Sequence, residues 1–112
     1  MVTLLVDEGY AFDYLSILDV KKSIRPEIEN NWYLCFSFLE RQIGKSKMQE
    51  IINSLEYTDM IKANKMTFEA VNKAKENLIS AKEVDDFNLL RYRKKIALQE
   101  KFFINKISEI KI

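Results

Sequence analysis

Two glycines and one proline are spread over 112 residues, and this scarcity of chain-turning residues constrains the fold more than any other feature. An all-β chain needs turn signals every ~8–12 positions, and this chain cannot supply them. Long helices can be built without them. Hydrophobic residues at 47% against 31% charged are the balance of a folded protein and not of a disordered one. A chain of this length buries roughly two-thirds of its unfolded surface, yet it has no room for a second core. The expectation is an all-α domain over residues 1–112: a small bundle of four to five helices with a long C-terminal helix. Residues 3–6 read either as a short strand or as an apolar arm.

Charge and rare residues exclude several function classes. With 18 basic against 17 acidic residues, the chain lacks the basic excess of a phosphate-driven nucleic-acid binder. Histidine is absent, which removes imidazole bases, Ser-His-Asp triads and most zinc sites. The single Cys35 forms no internal disulfide framework and fits a reducing, cytoplasmic setting. It lies on an apolar stripe and reads as a core thiol. MVTLLVDEGY lacks the basic region of a signal peptide, and no apolar run approaches the ~18 residues of a membrane span. The carboxylates form no paired Glu-x-x-Glu and Glu-x-x-Asp arrays of the kind helical pyrophosphatases use for magnesium, so neither cofactor nor metal is expected.

Periodicity and capping signals divide the chain into helices. The first begins near Asp7 with Tyr10, Tyr14, Ile17, Leu18 and Ile24 on one side, widened by Ala11 and Leu15. Pro26, Glu27 and Glu29 open the second, which carries Ile28, Trp32, Cys35, Phe36 and Leu39 inward and ends at Gly44. Ser46 with Gln49 reads as a capping box for a short third helix with Met48, Ile51, Ile52 and Leu55 inward. Thr58 can cap the fourth, whose stripe is Ile61, Phe68, Val71, Leu78 and Ile79. No strong breaker separates Leu78 from Val84, and a fifth helix runs from about Glu83.

That last helix has two apolar faces. Val84, Phe87, Leu98 and Phe102 share one. Leu89, Ile96, Phe103 and Ile110 recur every seven residues on another, flanked by Tyr92 and Ile107. Either this is a central helix wrapped by its own chain, or the second face holds a partner copy in a homo-oligomer.

A more specific pattern is a set of polar residues in phase with the apolar stripes. Lys21, with Asp13 at its edge, lies on the face of Tyr10, Tyr14 and Ile17. Asn64 and Lys75 fall within the fourth stripe. Asn88, Arg91 and Lys95 occupy consecutive turns of the fifth helix. An unpaired buried cation costs several kcal/mol, and Asp13 alone cannot answer four cations. Glu69 and Asp85 are further candidate acids. These groups are therefore either interhelical salt bridges with snorkelling stems or the lining of an anion site, in which guanidinium, ammonium and amide suit phosphate or carboxylate. The run of residues 91–95 points around the helix and is not a nucleic-acid patch. Tyr57, Tyr92 and Trp32 read as core aromatics more readily than as base-stacking platforms.

The segment GYAFDYLSILDVK, with Gly9, Asp13, Ile17, Leu18, Asp19 and Lys21, resembles the opening pattern of a family of small bacterial and phage proteins of unassigned function, often met among cell-surface glycan genes. Asn64 and Phe68 echo the family's middle pattern. Ala81, Lys82, Val84, Asn88, Arg91 and Lys95 are similar to its late one. Tyr14, Phe68 and Leu89 depart from the residues usual there, a lysine, a tryptophan and an aspartate. The resemblance implies a helical fold and shared polar positions, not a reaction. The expected function is a non-enzymatic module holding a nucleotide or sugar phosphate through Asp13, Lys21, Asn64, Lys75, Asn88, Arg91 and Lys95, which in a phage would serve to sequester a nucleotide signal. The alternative is an oligomeric scaffold joined through Leu89, Tyr92, Ile96, Phe103, Ile107 and Ile110, with no membrane contact in either case.

Overall fold

The computed structural model describes residues 5–103. Its helices run α1 Glu8–Lys22, α2 Glu29–Ile43 after a 3-10 turn at Pro26–Ile28, α3 Lys45–Ile52, α4 Leu55–Lys75 and α5 Ala81–Phe102. The all-α bundle with a long C-terminal helix is thus present, and the described residues contain no strand. Of the N-terminal arm, residues 3 and 4 lie outside the described residues, while Leu5 and Val6 are non-helical and exposed.

Local chemistry sets the boundaries, in three places differently from the sequence expectation. Gly44 ends α2 as expected, and its φ of 90° also makes it the N-cap of α3. An L side chain is strained at that angle, so the glycine opens α3 at Lys45, a residue ahead of the Ser46 capping box. Ser54, not Thr58, caps α4, its Oγ accepting from the Tyr57 N–H at 3.1 Å. The unforeseen breaker between α4 and α5 is Asn77, with φ of 59°. Leu78 N–H donates to Lys73 C=O at 2.8 Å and Asn77 N–H to Ala74 C=O at 3.0 Å, which is the Schellman closure with asparagine in the left-handed seat. Ser80 then caps α5 through the Glu83 N–H at 3.2 Å, the S-x-x-E signature of a helix start.

Helix α1 is the centre of the bundle, packing on α2, α4 and α5. Its inward face is not the tyrosine face. Phe12 and Leu15 join Leu39 of α2, Met48 and Ile51 of α3, Tyr57 and Met60 of α4 and Leu98 and Phe102 of α5 in one core. Tyr10, Tyr14 and Ile24 are exposed. The physical reason is size: Gly9, Asp13 and Ser16 are small enough to face neighbouring helices, while tyrosines reach water with their hydroxyls. The same reversal applies to Leu55, Phe68 and Leu78, which are exposed, while Ala63, Asn64, Thr67 and Ala70 are buried.

Backbones approach closely where α1 meets α5. Gly9 N–H donates to Gln99 Oε1 at 2.6 Å, and Gln99 Nε2 donates to Glu8 Oε2 at 3.2 Å. A fully buried glutamine of α5 therefore caps the first turn of α1, whose N-cap Asp7 makes no side-chain cap bond. A Cβ on Gly9 would stand 2.9 Å from the Lys95 carbonyl oxygen. Gly9→Ala should destabilise the fold by about 2 kcal/mol, the overpacking outweighing the ~1 kcal/mol that alanine gains in a helix. Urea unfolding is the measurement, and an unchanged or higher midpoint would mean that α1 and α5 can part freely.

Helix α5 ends at Phe102, and Phe103 is extended, with φ of −132°. Its ring packs on the core at 6.4 Å from Phe12. The heptad stripe therefore does not continue through Phe103 as one helical face; Leu89 is exposed, Tyr92 and Ile96 are half-buried, and Ile107 and Ile110 lie outside the described residues. On α2, Trp32 stacks on Phe36 at 5.1 Å, with the Lys22 ammonium 3.7 Å above its ring. Cys35 beside them is half-buried, and burial pushes its thiol up to about 11. Tyr57 donates to Asp19 Oδ2 at 2.5 Å. Burial first, and the Asp19 carboxylate second, holds its phenol well above the ordinary tyrosine range.

Candidate functional site

The polar residues of three helices meet on one side of α1. At spacings of three and four, α1 brings Asp13, Ser16, Ile17, Val20 and Lys21 to this side, α4 brings Asn64, Thr67, Phe68 and Val71, and α5 brings Asn88 and Arg91. At the inner end the bonds form a chain. Asn64 Nδ2 donates to Asp13 Oδ1 at 2.9 Å and to Ser16 Oγ at 2.6 Å. Ser16 Oγ donates to the Asp13 carbonyl at 2.7 Å. Arg91 Nη2 donates to Asp13 Oδ2 at 3.4 Å and Nη1 to Asn88 Oδ1 at 3.2 Å.

Asp13 is only 8% exposed and Ser16 and Asn64 are buried with it, so the network stands in a low-dielectric setting where each bond is strong and each omission costly. The Asp13–Arg91 contact is longer than the 2.7–2.9 Å of a close charge-assisted bond. Arg91 Nε is buried without a hydrogen-bond partner among the described residues. The guanidinium is therefore anchored at one end and not fully satisfied.

Beside this network lies a half-open cavity of about 270 Å³, lined by Ile17, Val20 and Lys21 of α1, Asn64, Thr67, Phe68 and Val71 of α4, and Arg91 of α5. Of the polar residues singled out in the sequence, Lys21, Asn64 and Arg91 thus share one cavity. Asp13 and Asn88 stand behind it as partners of Asn64 and Arg91. Lys75, exposed at the last turn of α4, does not line it. Lys95 sits with its ammonium 5.2 Å from the Tyr10 ring and 5.6 Å from Tyr92, so it too is outside the lining. Neither Glu69 nor Asp85 pairs with these cations; both are exposed.

Ser16 and Thr67 were not legible as site residues. For Ser16 a signal was present: Gly9, Asp13 and Ser16 form an i, i+4, i+7 row of small or polar residues on α1. Thr67 donates to its own helix at the Ala63 carbonyl, 2.8 Å away, and reaches the Phe87 carbonyl of α5 at 3.4 Å.

Among the described residues no three carboxylate or thiol side chains gather to hold a metal ion, and no helix is long and apolar enough to cross a membrane. Comparison with protein-family models found no match, and no curated protein and no solved structure is significantly similar to this chain.

Proposed function

We propose that the chain is a small helical binding module that holds a small anion in the cavity between α1, α4 and α5. The observation that carries this reading is the convergence of Lys21 and Arg91, from different helices, on one cavity that also contains the Asn64 amide. Two cations on a shared concave surface with apolar walls are what a site for an organic anion requires. The buried Arg91 Nε has no hydrogen-bond partner among the described residues, so the protein does not fully occupy this guanidinium.

Small anions at millimolar concentration should raise the melting temperature, since a ligand at 100 times its Kd adds ≈ 2.7 kcal/mol. Lys21→Ala, at an exposed position, should remove the rise without lowering the unliganded melting temperature. If phosphate, nucleotides and organic acids all leave the melting temperature unmoved, the reading is wrong.

A second reading, an oligomeric scaffold whose polar positions tie helices together, is favoured by the Asn64–Asp13–Arg91 bonds across α4, α1 and α5. Exposed Leu34 and Phe38 on α2 and Leu89 on α5 provide apolar surface for partners. Light scattering that returns a multiple of the 13.3 kDa chain mass, reduced by Leu89→Glu, would support it.

A further inference from the structure

We infer that the ligand of this cavity is a small monocarboxylate with a branched or aromatic apolar body, and not a phosphate ester or nucleotide; this rests on the anion-binding reading above. Four observations point the same way. The first is charge. Arg91 is already paired with Asp13 across 3.4 Å, so Lys21 and Arg91 against Asp13 leave one net positive charge. A single negative charge balances it. A dianion on Arg91 would place its second charge within reach of the Asp13 carboxylate, where like charges repel.

The second is the supply of donors. Asn64 uses Nδ2 on both Asp13 and Ser16, and Thr67 spends its hydroxyl on the Ala63 carbonyl. The donors that remain are the cationic N–H groups of Lys21 and Arg91, which suit a carboxylate. A phosphate presents three strong acceptor oxygens. Proteins commonly meet that demand with backbone N–H groups at a helix N-terminus or a glycine-rich loop, but the lining residues lie within α1, α4 and α5, at least nine residues past each start. Backbone N–H groups there are committed to their own helices.

The third is the wall: Ile17, Val20, Phe68 and Val71 offer contact to methyl groups or a ring and nothing to a ribose. The fourth is size. Pockets for drug-sized ligands measure roughly 300–1,000 Å³, so a cavity of 270 Å³ takes a smaller body and leaves no room to bury a mononucleotide.

The test is titration calorimetry on the full chain with 4-methylpentanoate and phenylacetate as probes, beside inorganic phosphate, AMP and the neutral 4-methylpentanamide. The carboxylates should bind at least tenfold more tightly than phosphate, AMP and the amide. Lys21→Gln should weaken the carboxylates about tenfold, and Val71→Glu should abolish their binding, with circular dichroism confirming that both variants are folded. Tighter binding of phosphate or AMP than of the carboxylates, lost in Lys21→Gln, would leave an anion site and overturn the ligand class. Equal binding of amide and carboxylate would overturn the charge argument. Silence from every probe would overturn the ligand class and the anion site together.

Discussion

Phe12→Ala is expected to destabilise the protein by about 4 kcal/mol, the cost of deleting a buried aromatic side chain and leaving a cavity. Phe12 has no exposed surface, and its ring meets Tyr57 edge-on at 6.2 Å and Phe103 at 6.4 Å. One substitution therefore loosens the contacts α1 makes with α4 and with the residue that follows α5. In a domain of this size such a loss lowers the melting temperature by roughly 15–20 °C. Tyr14→Ala is the control on the opposite face. Tyr14 is 51% exposed, and its removal should stay within ±0.5 kcal/mol. Urea unfolding of the pair decides which face of α1 is inward, and a larger loss from Tyr14→Ala than from Phe12→Ala would reverse the assignment.

Asp13→Ala should cost about 3 kcal/mol, because removing one partner of a buried network strands the others. Asn64, which is only 5% exposed, would lose an acceptor, and Arg91 would lose its only anionic partner in the network. Arg91→Ala should cost less. Its side chain is 26% exposed against 11% for Asp13, and Asp13 would keep its bond from Asn64. The double variant should be less destabilised than the sum of the two, with a coupling of about 1–2 kcal/mol in a thermodynamic cycle. Strict additivity would mean that the 3.4 Å contact contributes nothing to the fold. Both variants also bear on binding, since Asp13 holds Asn64 and Arg91 where they meet the cavity. Lys21, outside this network, allows a loss of ligand to be distinguished from a loss of stability.

The parts of this protein that were legible in the sequence are those that local chemistry controls. The helical class follows from the lack of turn residues. Gly44 is the clearest boundary because only glycine is at ease at φ of 90°. Asn77 gives no breaker signal in the sequence, because asparagine takes the left-handed seat only when the following bonds reward it, here those of Asn77 and Leu78 to α4 carbonyls. Ser80 and Glu83 carried a capping box in plain view, but an apolar pair at Leu78 and Ile79 made α4 look longer than it is.

The polar constellation was legible as a set and not as an arrangement. Periodicity places Lys21, Asn64, Lys75, Asn88, Arg91 and Lys95 on helical faces, but it cannot say which faces meet. Periodicity groups Lys75 with Asn64 because eleven residues make almost a whole number of turns. Three turns along the helix, however, separate a side chain that lines the cavity from one that stands in solvent.

Sequence by itself determined that the chain folds as helices, where α1 begins and where α2 ends, and that its polar residues recur in phase with its apolar ones. Those are short-range properties, set by backbone preference, caps and spacing along one helix. Only the tertiary structure decided that α1 turns its small residues inward and its tyrosines outward, and that Gln99 of α5 caps α1. It also decided that Lys21, Asn64 and Arg91 share a cavity while Lys75 and Lys95 do not. Those outcomes depend on how closely helix backbones can approach, and that distance is set by side-chain size at contacts between residues far apart in the chain. Gly9 and Lys95, one an absent Cβ and the other a backbone carbonyl, are a point of such close approach.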